Sequence, residues 1–185
     1  MPAGSIERTN ARKEEIINAC EKLYHTMSFK EITLKEISRE TTFSRTSIYN
    51  YFQTKEEIFL ALLKREYDLW ILKMEKMIGR KEAMSNDEIA DVLARTLDER
   101  RQLLKIMSMN HYDLEENSRI ELLTEFKASY GKALKTVMQI LERFRPDMDF
   151  KKREEFIYSF FPFMFGIYPY TVVTEKQKEA MARAG

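Results

Sequence analysis

The sequence predicts an all-α chain, with a small three-helix unit at its N terminus and a larger helical unit behind it, on three observations. Its 185 residues hold only five Gly and four Pro against 44% hydrophobic and 33% charged residues, which excludes collagen-like, long disordered and turn-rich all-β chains. Apolar residues recur at three- and four-residue spacing, and no alternating apolar and polar run is long enough for a pair of strands. N-cap signatures stand where several of the new apolar stripes begin. The length suits one domain near the upper end of the ordinary size or a small domain fused to a medium one, and the chain is divided as 8–68 and 69–185.

Ile16, Ala19, Cys20, Leu23, Tyr24 and Met27 form one stripe and predict a first helix from about Arg12 to Met27. Cys20 lies on that stripe and reads as a small core residue. Thr33-Leu34-Lys35-Glu36 fits a capping box and opens a short helix that turns Leu34, Ile37 and the aliphatic stem of Arg39 inward. The β-branched pair Thr41-Thr42 ends it. Ser44 caps the next helix, Arg45 to about Tyr51, which is too short to persist unless packed on its neighbours. Ile48 and Phe52 are its inward pair, and Arg45, Thr46, Ser47, Tyr49 and Asn50 face out.

Thr54-Lys55-Glu56-Glu57 is a second capping box, opening a long helix to about Ile78 with Gly79 at its end. Ile58, Leu62, Leu69, Met74 and Met77 are expected on its buried side. A polar loop leads to Ser85, a third cap. Further helices are expected at about Asn86 to Glu99, Leu103 to Met109, Ser118 to Phe144, Asp149 to Tyr168 and Glu175 to Ala184, with breaks at Pro146 and Pro169. From Phe156 to Val173 eighteen residues carry no charge, the lower limit for a membrane span. Pro162, Gly166 and Pro169 argue against a span, so the run is read as buried in a bundle or between subunits, with no membrane partner. One Cys and a start without a basic-then-apolar layout point to a reducing cytoplasm.

Two short helices joined by about three residues, the second showing polar and aromatic groups outward, describe a helix-turn-helix over about residues 33–52. A B-DNA major groove about 12 Å wide admits one helix, whose N-terminal residues meet base edges. Arg45, Thr46 and Ser47 hold that place. Helix N-termini at Thr33 and Lys55 suit phosphate, and Lys55 adds a full charge.

The stretch from Ile16 to Leu63 resembles the DNA-binding domain of the tetracycline-repressor-like (TetR) transcriptional regulators. The resemblance rests on Leu23-Tyr24, Thr33, Ile37, Ser44, Ile48-Tyr49-Asn50-Tyr51-Phe52 and Lys55-Glu56. It implies phosphate contacts by Thr33, Ser44, Tyr49, Tyr51 and Lys55, and base contacts by Arg45, Thr46 and Asn50. Two positions depart from that family's pattern: Ser28 and Thr42 stand where Gly is usual. Thr42 is β-branched, so its turn is expected to be either different or mildly strained.

Through Lys55 the chain has nine basic and seven acidic residues, and overall the formal charge is +1. So small a surplus neutralises few phosphates, and a second reading head is needed. Dimerisation supplies it, with heads roughly 34 to 36 Å apart on a near-palindromic double-stranded operator. The resemblance places the dimer contact near the C terminus, and Phe156, Phe160, Phe163, Met164 and Ile167 are the candidates. The Met- and aromatic-rich second half suits an adaptable pocket for an apolar or aromatic small molecule. Trp70, Met74, Met107, His111, Tyr112, Phe126, Tyr130 and Phe165 are the candidate lining, with plain core as the competing reading.

The function expected is a ligand-released repressor, the alternative being an activator or a protein-binding module without an inducer. Two His, one Cys and no glycine-rich phosphate loop leave little for catalysis, so no enzyme and no cofactor are expected. His111, Asp113 and Glu115 are too sparse for a metal site.

Overall fold

The computed structural model describes residues 3–79, 83–109 and 111–185, with side chains from residue 6 onward and without that of His111. Among the described residues there is no strand and there are ten helices. They are α1 (Ala3–Thr26), α2 (Leu34–Arg39), α3 (Arg45–Ile48), α4 (Lys55–Ile78), α5 (Asn86–Asp98), α6 (Arg101–Met107), α7 (His111–Glu116), α8 (Ile120–Phe144), α9 (Phe150–Thr171) and α10 (Glu175–Ala184). The chain forms two compact units, Met1–Asp68 with Asn110–Gly131, and Leu69–Met109 with Lys132–Gly185.

In the first unit, Ile16, Cys20 and Tyr24 of α1, Ile37 of α2, Ile48 of α3 and Ile58, Phe59 and Leu62 of α4 share one core. The Phe59 ring meets Tyr24 and Phe29 edge-on, with centroids 5.0 and 4.8 Å away. Arg65 of α4 donates to Glu14 (3.1 Å), Asn18 (2.6 Å) and Glu21 (2.7 Å), tying α4 along α1. Burial pushes the Cys20 thiol up, away from the thiolate, in keeping with a packing role.

Residues far along the chain complete this unit. Thr54 caps α4 by accepting the Glu57 N–H (3.1 Å) and donates its hydroxyl to Asn117 O (2.9 Å). The Glu57 carboxylate does not close the capping box expected there. It is 1% exposed and accepts from Gln53 N (2.6 Å) and from Arg119 N, Nε and Nη2 (3.1, 2.7 and 2.9 Å). Arg119 Nη2 also donates to Tyr51 O at 2.9 Å. Tyr67 packs against Phe126 and Tyr130 of α8, with centroids 6.1 and 5.7 Å apart. For this reason α7 and the first part of α8 belong with the N-terminal helices, where an 8–68 boundary leaves them out.

In the second unit Trp70 is fully buried, donates Nε1–H to Thr96 Oγ1 (3.0 Å) and packs on Phe160 and Phe161. Ile71, Met74, Leu103, Ile106, Met107, Val137, Ile140 and Met164 fill the space around it. The Ser85 capping box forms as expected, with Ser85 Oγ accepting from Glu88 N and Glu88 accepting from Ser85 N.

Several expectations are corrected. α1 begins at Ala3, well before Arg12, because Glu7 to Lys13 continue the turns without a buried stripe. α3 spans only Arg45–Ile48, and single-turn bonds from Tyr51 and Phe52 N–H to Ile48 O (2.9 and 3.0 Å) carry the chain onward. Arg39 is exposed and pairs with Glu36 instead of covering the core. Leu69 is 38% exposed, since the buried positions of that stretch of α4 are Trp70, Ile71 and Met74. α4 ends at Ile78 as expected, yet no left-handed glycine closes it: Gly185 is the one positive φ among the described residues. The segment from His111 forms a helix, α7, held by one buried apolar residue, Leu114, too little for a periodic signal. Pro169 lies inside α9, as does Pro162; both are exposed, where a freed carbonyl is hydrated. Among the described residues no single helix is long and apolar enough to cross a membrane.

Burial alone would raise the Glu57 carboxyl, but the hydrogen bonds from Arg119 and from the Gln53 and Arg119 backbone outweigh it and hold the group below the usual carboxylate range. A carboxyl lowered by folding stabilises fully above its unfolded range and loses that contribution as pH falls. Arg119→Ala is expected to lower the urea unfolding free energy by about 3 kcal/mol at neutral pH, since it leaves a buried charge without its cation. Glu57→Gln is expected to flatten the decline of stability between about pH 5 and pH 3, followed by the same urea titrations.

Candidate nucleic-acid interface

Each short helix of the N-terminal unit is held by its cap. Thr33 Oγ1 accepts from Glu36 N (3.4 Å) and is itself engaged by the Glu36 carboxylate. Ser44 Oγ accepts from Ser47 N (3.2 Å) and lies 3.0 Å from Ser47 Oγ. With Ile48 and Phe52 buried beneath, the opposite side of α3 and of the turn after it is left to Arg45, Thr46, Tyr49 and Asn50, all exposed, with Ser47 half-buried. Arg45 Nη2 donates to the Tyr49 hydroxyl at 3.1 Å and its guanidinium lies 5.8 Å from that ring, so the two form one amphipathic surface.

The two departures from glycine each have a carboxylate partner. Thr42 donates both its backbone N–H (2.6 Å) and its hydroxyl (2.8 Å) to Glu15 Oε1. Ser28 donates both its N–H and its hydroxyl to Glu31 Oε2, each at 2.7 Å, which holds the Glu31 carboxyl below its usual range. Neither residue has positive φ, so the strain open to Thr42 is absent and the turn is of a different kind.

Lys55, expected to meet phosphate, is turned inward in this structure. Its ammonium donates inward to Phe29 O (2.8 Å) and Ile32 O (3.2 Å) and sits 4.1 Å from the Phe29 ring centroid. The charge expected on a phosphate thus closes the connection between α1 and α2. Tyr51 is half-buried, and its hydroxyl accepts from Arg12 Nη1 at 3.1 Å. Arg12 and Glu15 are residues that sequence reasoning missed; α1 presents them one turn apart, but no periodic signal says that a polar face meets another helix.

Residues 16–62 match the family model described as bacterial regulatory proteins, tetR family, and residues 64–185 match the one described as tetracyclin repressor-like, C-terminal domain. The chain belongs to the TetR family. A curated relative is the uncharacterized HTH-type transcriptional regulator YfiR of Bacillus subtilis (strain 168), 29% identical over 75 residues. That match covers 40% of this chain and 37% of the relative. In fold the chain is similar to the fatty acid degradation regulator FadR from Bacillus halodurans, with a TM-score of 0.59 at 13% identity over 94% of this chain and 86% of that one.

The second unit of this TetR-family chain carries a groove of about 430 Å³. Ile89, Leu93 and Leu97 of α5, Leu141 of α8, and Phe156, Phe160 and Phe163 of α9 give it an apolar lining. Its polar members are Asn86 and Arg145, and Arg145 is itself paired with Asp147 (2.8 and 2.7 Å). None of the residues expected to line a pocket lines this groove. Trp70, Met74 and Met107 are fully buried packing residues, and Phe165 is half-buried. Phe126 and Tyr130 stack with Tyr67 in the first unit, and Tyr112 is 79% exposed. The His111 side chain lies outside the described residues. The Met and aromatic stripes are core, and the groove falls where α5 turns a strip of Ile and Leu toward α9. Of the residues expected at a dimer contact, Phe163 is 59% exposed, on the same face of α9 as the exposed Tyr170, while Phe156, Phe160 and Ile167 are half-buried. Met164 is wholly buried and has no surface to offer a partner.

Lys55→Ala is expected to lower stability by about 1–2 kcal/mol in a urea titration, because two carbonyls lose a charged donor. A side chain that only touched phosphate would leave that titration unmoved.

Proposed function

We propose that this chain is a sequence-specific DNA-binding transcriptional regulator, a dimeric repressor that releases its operator when an apolar or aromatic small molecule binds. The observation that carries the DNA reading is the outer side of α3 and the turn after it: a two-sided element, anchored by Ile48 and Phe52, that offers Arg45, Thr46, Tyr49 and Asn50 with no carboxylate among them. Arg45, Thr46 and Asn50 reach base edges, while the hydroxyls of Ser44 and Tyr49 meet phosphates. Thr33 and Tyr51 hold weaker claims, since Glu36 and Arg12 already engage their hydroxyls.

The exposed aromatic face of α9 that carries Phe163 and Tyr170, seven residues apart, supports pairing with a second copy across an isologous contact. The groove between α5 and α9 is the ligand site this reading favours, being apolar and of a size suited to small molecules. Both α4 and α8 begin in the first unit and end in the second, so a shift of either helix on ligand binding reaches the reading head along covalent structure.

Selection of duplexes from a random pool tests the reading. Arg45→Ala is expected to weaken the selected duplex by about 10- to 100-fold while leaving scrambled DNA little changed, measured by fluorescence anisotropy at fixed salt. Failure of the wild-type protein to enrich any duplex would overturn it. Phe163→Arg is expected to convert the dimer to a folded monomer, read by sedimentation velocity with helicity checked by circular dichroism.

A further inference from the structure

We infer that Glu15 and Arg12 of α1 are positioning residues for sequence reading: they fix α3 at its two ends, and through it the place of Arg45 and Thr46. This rests on the proposal that α3 meets DNA.

The geometry is that of a clamp. Glu15 Oε1 holds the turn before α3, accepting the Thr42 N–H at 2.6 Å and its hydroxyl at 2.8 Å. Arg12, one turn earlier on the same side of α1, holds the chain after α3 by donating to the Tyr51 hydroxyl at 3.1 Å. The Arg12 guanidinium also lies 5.5 Å from the Phe43 ring centroid, and Phe43 is the residue between the Glu15-held Thr42 and the Ser44 cap. Four hydrogen-bonded residues of α3 cannot set their own direction. Ile48 and Phe52 fix depth and Arg119, donating to Tyr51 O, ties the backbone after α3, but none of these holds the turn before it. Directional bonds from α1 hold both ends, and an error of about 1 Å at the tip of a long side chain is enough to lose a bidentate base contact.

Glu15 is acidic, so its removal also changes how the head meets polyanions, and the test must separate charge from geometry. Glu15→Ala and Glu15→Gln delete the same negative charge; the amide keeps a carbonyl oxygen able to accept both Thr42 bonds. The measured quantity is the ratio of affinities for the duplex selected by the wild-type protein and a scrambled duplex, at one salt concentration. Glu15→Ala is expected to lower that ratio at least tenfold and Glu15→Gln by less than threefold, with both variants melting as folded proteins.

Equal ratios in both variants, whether preserved or lost together, would overturn the inference, because then the acceptor atom is irrelevant. Should Glu15→Ala not fold, Thr42→Val removes one of the two bonds at an exposed position. A fall in the ratio supports the clamp, and an unchanged ratio overturns it. If the wild-type protein enriches no duplex, it is the DNA reading of α3 that fails.

Discussion

The first unit depends on a carboxylate placed where water cannot reach it. Glu57 would be costly to ionise there without partners, and four N–H donors from Gln53 and Arg119 make the ionised form the stable one. The same guanidinium takes Tyr51 O, so one ion pair fixes the end of the helix-turn-helix, the start of α4 and the residue that precedes α8. A pair of this kind contributes less to net stability than to the uniqueness of an arrangement: any other register leaves a charge buried and alone.

Around that point the reading head is built from elements too small to stand by themselves. α2 and α3 are capped by Thr33 and Ser44, but a cap is worth only about 1 kcal/mol and cannot hold a four-residue helix. Their order comes from α1 and α4, the long helices that surround them with Ile16, Cys20, Ile58 and Leu62. Polar contacts then refine what the core permits. Lys55 draws in the carbonyls of the connection after α1, and Glu15 draws in the turn before α3. In the second unit the division differs: Trp70 and the methionines form a dense interior, and α5 keeps an apolar strip that α9 lines without filling.

Much of this was legible in the sequence. The helical order, the Ser85 cap, the Ile48 and Phe52 anchors and the outward set on α3 follow from spacing alone, because periodicity reports which side of a helix meets the core. What spacing does not report is which polar groups find each other across distant segments. Glu57 read as an ordinary capping-box acid, and nothing local to it announces Arg119, 62 residues on. Lys55 read as a free cation because its partners are backbone carbonyls, which carry no side-chain signature. The pocket candidates rested on aromatic and Met content, which marks volume to be filled, and whether neighbours fill it is settled only by packing, as around Trp70, Met74 and Met107. Leu69 fell outside the core because the stripe that continues along α4 runs through Trp70, Ile71 and Met74.

That the first unit borrows α7 and the opening turns of α8 means its gene segment and its physical body do not coincide. A fragment cut at Asp68 would hold every residue of the helix-turn-helix, yet it would take from Glu57 both its counter-ion and the segment that lies on it, and strip Tyr67 of its ring partners. A hybrid that takes this head at a single junction inherits the same defect. A sound graft at this fold has two seams, and it transplants the pair from Glu57 to Arg119 whole.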